Sequence, residues 1–322
     1  MGIRALAAAT ALLVATSANA ATVTRYTGAL VFGDSLSDPG NLYAATGGAS
    51  PPSPPYFAGR RSNGPVWAEY VTASFAAQGL AAANYAFAGA TAVRNDDVAA
   101  GLPFQIPDLP DQLAAFGGRP PDLGDRPVGL LWFGANDVIN AIGATPTPQA
   151  VGAAAAGAAA AVVDGIRTLR KEGVRDVVVM NLPSLEKVPA FTLGAPAAAP
   201  LAALGTDVFN QTLDTLIGDM KAKRRITRVD IEATFDDLIA DPEKYGVKDA
   251  ATPCIIPGVS VCSGTQADER AFFDLLHPNR IVQAGIADIV GAKAAPVPLP
   301  APALLLLAAL ASLGVAGWRR QT

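Results

Sequence analysis

The 322-residue chain is 51% hydrophobic and 16% charged, with a formal net charge of −4. That composition excludes a disordered polypeptide. A unit of this length buries about three quarters of its unfolded surface, so it needs neither metal nor disulfides to hold a core. The acidic balance argues against nucleic acid or an anionic membrane surface as partner, because both reward a basic face.

Read in chain order, residues 1–20 carry Arg4, an apolar run over 5–15 and Ala18-Asn19-Ala20 ahead of Ala21. That is the layout of a secretory signal peptide, cleaved after Ala20, with a run too short to cross a bilayer. Residues 21–295 then alternate short apolar runs with helical stretches, which predicts one α/β domain built on a mostly parallel sheet. Strands are expected over 29–32, 84–87, 128–133, 176–180 and 228–231, each rich in Val, Ile, Leu or Phe. Helices are expected over 66–76, 108–116, 151–171, 201–223, 232–240 and 278–290. The Ala-rich part of the third reads as an ordinary packed helix. Between the first strand and the first helix, residues 50–64 carry Pro51, Pro52, Pro54 and Pro55 and must form an extended loop, long enough to be functional. The only cysteines, Cys254 and Cys262, fall in a loop-like stretch and in an exported protein read as a disulfide. Two cysteines and one histidine are too few for a metal site, and no cofactor motif is present.

The last segment, 296–322, places Val297-Pro298-Leu299-Pro300-Ala301-Pro302 before an apolar run over 303–318 and Arg319-Arg320. At about 1.5 Å per residue the run is short for a bilayer core of about 30 Å. This tail resembles the PEP-CTERM class of bacterial sorting signals in its Val-Pro-Leu-Pro-Ala variant. The resemblance implies export machinery and a C-terminal sorting enzyme as partners, and display at the cell surface or release from it. The plainer alternative is a short membrane anchor whose arginines stay in the cytoplasm.

Chemistry concentrates in a few positions. The first expected strand runs into Gly33-Asp34-Ser35-Leu36-Ser37-Asp38-Pro39-Gly40-Asn41, which puts Ser35 at the carboxyl edge of a buried strand, where open α/β sheets bind ligands. A serine hydroxyl needs a base that works near neutral pH, and His277 is the chain's single histidine. Pro278 restricts its backbone and suits a helix start. Asp274, three residues earlier, can accept the second ring N–H and fix the tautomer. Asp34 and Asp38 read as turn residues that position the loop. The nucleophile elbow Gly-x-Ser-x-Gly is absent around Ser35, so an α/β-hydrolase fold is not indicated.

Four separated blocks are similar to the GDSL/SGNH hydrolases, particularly their secreted lipase, esterase and phospholipase-hemolysin branch. They are Gly33-Asp34-Ser35-Leu36, Asn84-Tyr85-Ala86-Phe87-Ala88-Gly89-Ala90, Gly134-Ala135-Asn136-Asp137 and Asp274-Leu275-Leu276-His277-Pro278. Residues 62–69 also look like that branch, and the resemblance runs from about 30 to 290. It implies a three-layer α/β/α sandwich of the flavodoxin-like kind, with about five strands. Ser35 would be the nucleophile and His277 with Asp274 its acid–base partner. The oxyanion donors would be the backbone of Ser35, the backbone of Gly89 and the side chain of Asn136. Gly89 serving only a tight turn, and Asn136 only capping a helix, are the alternatives.

The expected activity is therefore hydrolysis of a carboxylic ester through an acyl-enzyme, on an acyl-lipid or small aliphatic ester. A deacetylase of an exopolysaccharide and a non-catalytic surface-displayed binding protein are the alternatives.

Overall fold

A computed structural model describes residues 26–95, 102, 104–117, 123–220, 223–262 and 265–294. The expected signal peptide (1–20) and sorting tail (296–322) lie outside the described residues.

Five strands form the central sheet: β1 (Gly28–Gly33), β2 (Ala81–Asn84), β3 (Pro127–Trp132), β4 (Asp176–Met180) and β5 (Ile226–Val229). Their order is β2-β1-β3-β4-β5 and every pairing is parallel. This is the expected fold class, with the flavodoxin-like strand order. β1, β3 and β4 are buried at every position, which is why their sequences are apolar runs without polar alternation, apart from Asp176 at the start of β4, which Arg126 and Arg225 pair. Parallel pairing obliges each connection to cross the sheet, and the crossovers supply the two outer layers.

Between β1 and β2 run the short α1 (Asn41–Ala45) and α2 (Trp67–Ala76); α3 (Leu109–Phe116) precedes β3. Next come α4 (Ala135–Ala144) and α5 (Pro148–Lys171) before β4, and α6 (Ala199–Gly218) before β5. After β5 follow α7 (Ile231–Ala240), the hairpin β6 (Ile255–Ile256) and β7 (Ser260–Val261), α8 (Gln266–Glu269) and α9 (Arg280–Lys293). Helices α2 and α9 pack together as one layer, while α3 to α6 pack on one another as the other.

α5 shows how local sequence dictates such an element. Thr147 accepts the Ala150 N–H at its start, and Pro148 occupies a first-turn position where no N–H is needed. Val151, Ala155, Ala158, Val162, Ile166 and Leu169 recur at helical spacing and form its buried face. Arg170 and Lys171 oppose the negative end of its dipole.

Of the boundaries that differ from expectation, which include α5 starting at Pro148 and α6 ending at Gly218, three have identifiable reasons. β2 lies three residues earlier than 84–87, on an alanine run without β-branched residues. The chain beyond it still pairs with β1, since Tyr85 N–H donates to Val31 O and Phe87 N–H to Gly33 O. β5 ends at Val229 because Asp230 caps α7, accepting the Ala233 N–H at 3.2 Å. Likewise α9 begins at Arg280, capped by Asn279, and Pro278 stands outside the helix.

The expected disulfide is a correction. The hairpin sets Cys254 and Cys262 side by side, with Cys262 N–H donating to Cys254 O at 3.1 Å and to its Sγ at 3.2 Å, yet both are free thiols. Burial, reinforced by the hydrogen bond to Cys262, pushes the Cys254 thiol up to about 12. The spacing foretold the proximity and not the covalent state.

Candidate active site

Strand order reverses at β1 and β3, and a crevice opens at their carboxyl ends. The segments that follow these strands carry Ser35 and Asn136. β1 closes on Gly33, which is clamped by a buried side chain from α3. Gln112 Oε1 accepts Gly33 N–H at 3.1 Å, and its Nε2 donates to Gly33 O at 2.9 Å. The chain then turns: Asp34 O accepts the Ser37 N–H at 3.0 Å, and Asp34 Oδ1 accepts the Leu36 N–H at 3.0 Å. Ser35 projects from that turn.

Asp38 joins the turn to the loop after β2. Its Oδ1 accepts the N–H groups of Gly40 and Asn41, and its Oδ2 those of Leu42 and Ala88, at 3.1 and 2.8 Å for the last two. Asn84 Nδ2 adds a bond to Ser37 O, and Asn41 Nδ2 one to Ala86 O, both at 2.8 Å. Asp34 and Asp38 thus hold the loop in place, as the sequence suggested. Gly89 follows directly on Ala88 with φ +91°, and an added Cβ would stand 2.7 Å from Ile106 Cδ1. The positive φ is what calls for glycine, since the Ile106 methyl ends a flexible side chain that can move aside.

Asn136 does not cap α4; Gly134 occupies that place, at φ +115° and with the Phe209 ring 2.3 Å from where a Cβ would stand. The Asn136 amide instead donates from Nδ2 to Ala90 O at 2.9 Å, next to Gly89. Asp137, one residue on, accepts the N–H groups of Ala92 and Val93 at 2.9 and 3.0 Å. The loops after β2 and β3 are therefore stitched to each other as well as to the Ser35 turn.

The third contributor is the segment 272–278, held from several sides. Phe273 N–H donates to His277 O, Ala190 N–H to Leu275 O, and Ser62 Oγ to Pro278 O. His277 Nε2 lies 2.8 Å from Ser35 Oγ, and Nδ1 lies 2.8 Å from each Asp274 oxygen. A carboxylate only accepts, so Nδ1 carries the ring proton and Nε2 is the acceptor for the serine hydroxyl. Asp274 Oδ1 also accepts the N–H groups of Leu276 and His277 at 2.8 Å, and Oδ2 accepts the Tyr56 hydroxyl at 2.7 Å. Ser35, Asp274 and His277 are each 9% exposed, so the relay is shielded but open on one side.

Electrostatics follow from burial. At Asp274 burial acts upward, but the charge of His277, its hydrogen bond, the Tyr56 hydroxyl and the Leu276 N–H outweigh it and hold the carboxyl well below its ordinary range. Burial pushes Asp34 up to about 7 and Asp137 up to about 6, each opposed by the backbone N–H groups it accepts. Burial, followed by the Asp274 charge, pushes the Tyr56 phenol well above its usual value, so it remains a donor.

Ser35, Asn136 and His277 line one cavity of about 40 Å³, walled by Leu36, Ile139, Pro183, Leu185, Val188 and Phe235. Gly89 does not line it; its loop reaches the site through Asp38 and Asn136. Sequence reasoning missed Tyr56, Gln112 and the apolar wall from 183–188 and α7. Tyr56 lies in the proline-rich loop singled out for its length, and that was its only signal.

Fold and site together define an α/β protein with a serine, histidine and aspartate hydrogen-bonded in series at the carboxyl edge of a parallel sheet. The chain belongs to the GDSL-like lipase/acylhydrolase family, whose model matches residues 30–290. It is 31% identical over 230 residues to a phosphatidylcholine-sterol acyltransferase of Aeromonas hydrophila, covering 70% of this chain and 64% of that protein. A thermolabile hemolysin of Vibrio parahaemolyticus is 26% identical over 274 residues, covering 80% of this chain and 62% of the relative. The matched stretch is thus less than two thirds of either relative's length. Among solved structures, an acetylxylan esterase from Geobacillus stearothermophilus superposes with a TM-score of 0.46 at 14% identity, covering 86% of this chain and 98% of that one.

Proposed function

We propose that the chain is a serine carboxylester hydrolase that works through an acyl-enzyme, with Ser35 as nucleophile, His277 as general base and acid, and Asp274 as its orienting carboxylate. The observation that carries this reading is the continuous series from Ser35 Oγ through His277 to Asp274, each link 2.8 Å, beside a cavity at the sheet edge. Ser35 Oγ bonds to the ester carbonyl carbon as its proton passes to His277 Nε2. Asp274 stabilises the imidazolium so formed. The alcohol departs with that proton, and water then repeats the sequence to release the acid and restore the serine. Donors for the tetrahedral oxyanion are the Ser35 N–H and the Asn136 amide, which lie on the cavity and act on charge that exists mainly in the transition state; the Gly89 N–H is the third donor that the family resemblance implies.

The apolar wall of the cavity favours an aliphatic acyl group in contact with Ser35 over a polar one. Similarity to an acyltransferase named for phosphatidylcholine supports an acyl-lipid as the ester. Purified protein assayed on p-nitrophenyl esters from acetate to palmitate, with phosphatidylcholine and acetylxylan alongside, tests the assignment. Turnover of aliphatic esters and phosphatidylcholine above acetylxylan is expected, abolished in Ser35→Ala. A preference for acetylxylan would move the substrate to an acetylated polysaccharide, and no ester turned over beyond the Ser35→Ala background would overturn the reading.

A further inference from the structure

We propose that Tyr56 is a positioning residue of the ester-cleaving site, its hydroxyl fixing Asp274 so that the carboxylate stays turned toward His277. The inference rests on the Ser35, His277 and Asp274 roles proposed above. A carboxylate on a short side chain rotates readily about its terminal bond, and its two oxygens are interchangeable unless their surroundings differ. Here they differ: Oδ1 receives the Leu276 and His277 N–H groups, and Oδ2 receives the Tyr56 hydroxyl at 2.7 Å. With backbone donors on one oxygen and a phenol on the other, the plane of the carboxylate is set, and His277 Nδ1 meets both oxygens at equal distance.

Tyr56 is itself held. Its ring meets Phe273, the neighbour of Asp274, edge to face at 5.4 Å. The Arg61 guanidinium lies over the same ring at 5.6 Å, and Tyr56 N–H donates to Pro52 O. Farther along the loop, Ser62 is buried and donates to Pro278 O, while Asn63 Oδ1 accepts the Arg280 N–H. The proline-rich loop is therefore docked across the start of α9 at two points, and it delivers the hydroxyl on a supported backbone. Residues 218 positions apart in sequence meet here.

The hydroxyl has a second, electrostatic effect. By sharing the negative charge of Asp274 it tempers the carboxylate's pull on the His277 proton, so the imidazolium is stabilised less than an unshared carboxylate would stabilise it. Besides Asp274, the charged group that acts on the imidazole is Asp34 after β1, itself interacting with Asp137 on α4, while Arg61 on the proline-rich loop acts on Tyr56. Tyr56→Phe touches neither Asp34 nor Asp137 and keeps the ring over which Arg61 lies, whereas Tyr56→Leu removes that ring as well.

His277 is the chain's single histidine, so its ring resonances in isotope-labelled untagged protein report one group without assignment. Tyr56→Phe keeps the ring packing and removes only the hydroxyl; Tyr56→Leu removes both. In Tyr56→Phe the midpoint of the His277 titration should rise by roughly half a pH unit, and kcat should fall about three- to tenfold with KM within about twofold of wild type. Tyr56→Leu should show the same midpoint shift. A Tyr56→Phe protein with wild-type midpoint and kcat would overturn the inference, whether or not Tyr56→Leu is impaired, because the ring alone would then account for the residue. Ser35→Ala, assayed in parallel, separates this from failure of the underlying reading: turnover persisting there would remove the nucleophile, whatever Tyr56 does.

Discussion

Asp34 stands next to Ser35 in the chain and is 2% exposed, in a setting where burial favours the neutral acid. In the unfolded chain the group ionises near 3.8, whereas in the folded protein it keeps its proton up to about 7. Between those two values unfolding releases a proton, so this group makes stability fall as pH climbs from about 4 to 7, and the penalty is constant above that. Asp137 adds a similar loss that ends near 6. Asp34→Asn keeps an oxygen for the Leu36 N–H and removes the ionisation. Its melting temperature should therefore exceed that of the wild type by several degrees at pH 8 and match it only near pH 3, below the unfolded value, measured by calorimetry. A difference equal at pH 3 and pH 8 would mean the carboxyl ionises freely in the folded state.

At the scale of elements, the site depends on loops tied to one another more than on any one helix. Asp38 is the main tie: a single buried carboxylate accepts N–H groups from Gly40, Asn41, Leu42 and Ala88, and so fixes α1 and the Gly89 loop against the Ser35 turn. Removing it leaves buried donors unpaired, each costing about 1–3 kcal/mol. Asp38→Ala should lose roughly 3 kcal/mol in urea denaturation and also lower kcat, because the Gly89 N–H is no longer held in place. Wild-type kcat in a destabilised variant would show that the Gly89 loop keeps its position through its other ties, Asn41 to Ala86, Asn136 to Ala90 and Asp137 to Ala92 and Val93. The aspartate and the glycine were both visible in the sequence, but the bond between their loops was not, since it spans 50 positions. The same holds for Gln112 on Gly33 and Tyr56 on Asp274: isolated polar side chains carry no periodicity, and their partners are defined only after the sheet has formed. Element limits such as those of α3, expected over 108–116 and found over Leu109–Phe116, were legible to within a residue. They shifted where an expected strand ran into a cap, as at Asp230.

For the whole molecule, the alternation of doubly buried apolar runs with amphipathic stretches was enough to specify a parallel sheet between two helical layers, because few other arrangements bury both. That topology in turn explains why Ser35 and Asn136, which follow β1 and β3, line one cavity, since strand ends in such a sheet open onto one edge; His277 joins them from the segment ahead of α9. The cysteine pair was legible as a proximity only. The apolar wall from 183–188 and α7 was hidden because its residues look like ordinary core until the crevice is formed.

The central claim is that Ser35 is the nucleophile of an acyl-transfer site. A fluorophosphonate probe reacts with an activated serine and leaves a covalent mark that peptide mass spectrometry can locate. On the wild-type chain the label should fall on Ser35, and it should be lost in Ser35→Ala and strongly slowed in His277→Ala, with circular dichroism unchanged in both. Labelling of another serine, or labelling that persists at wild-type rate in Ser35→Ala, would contradict the account.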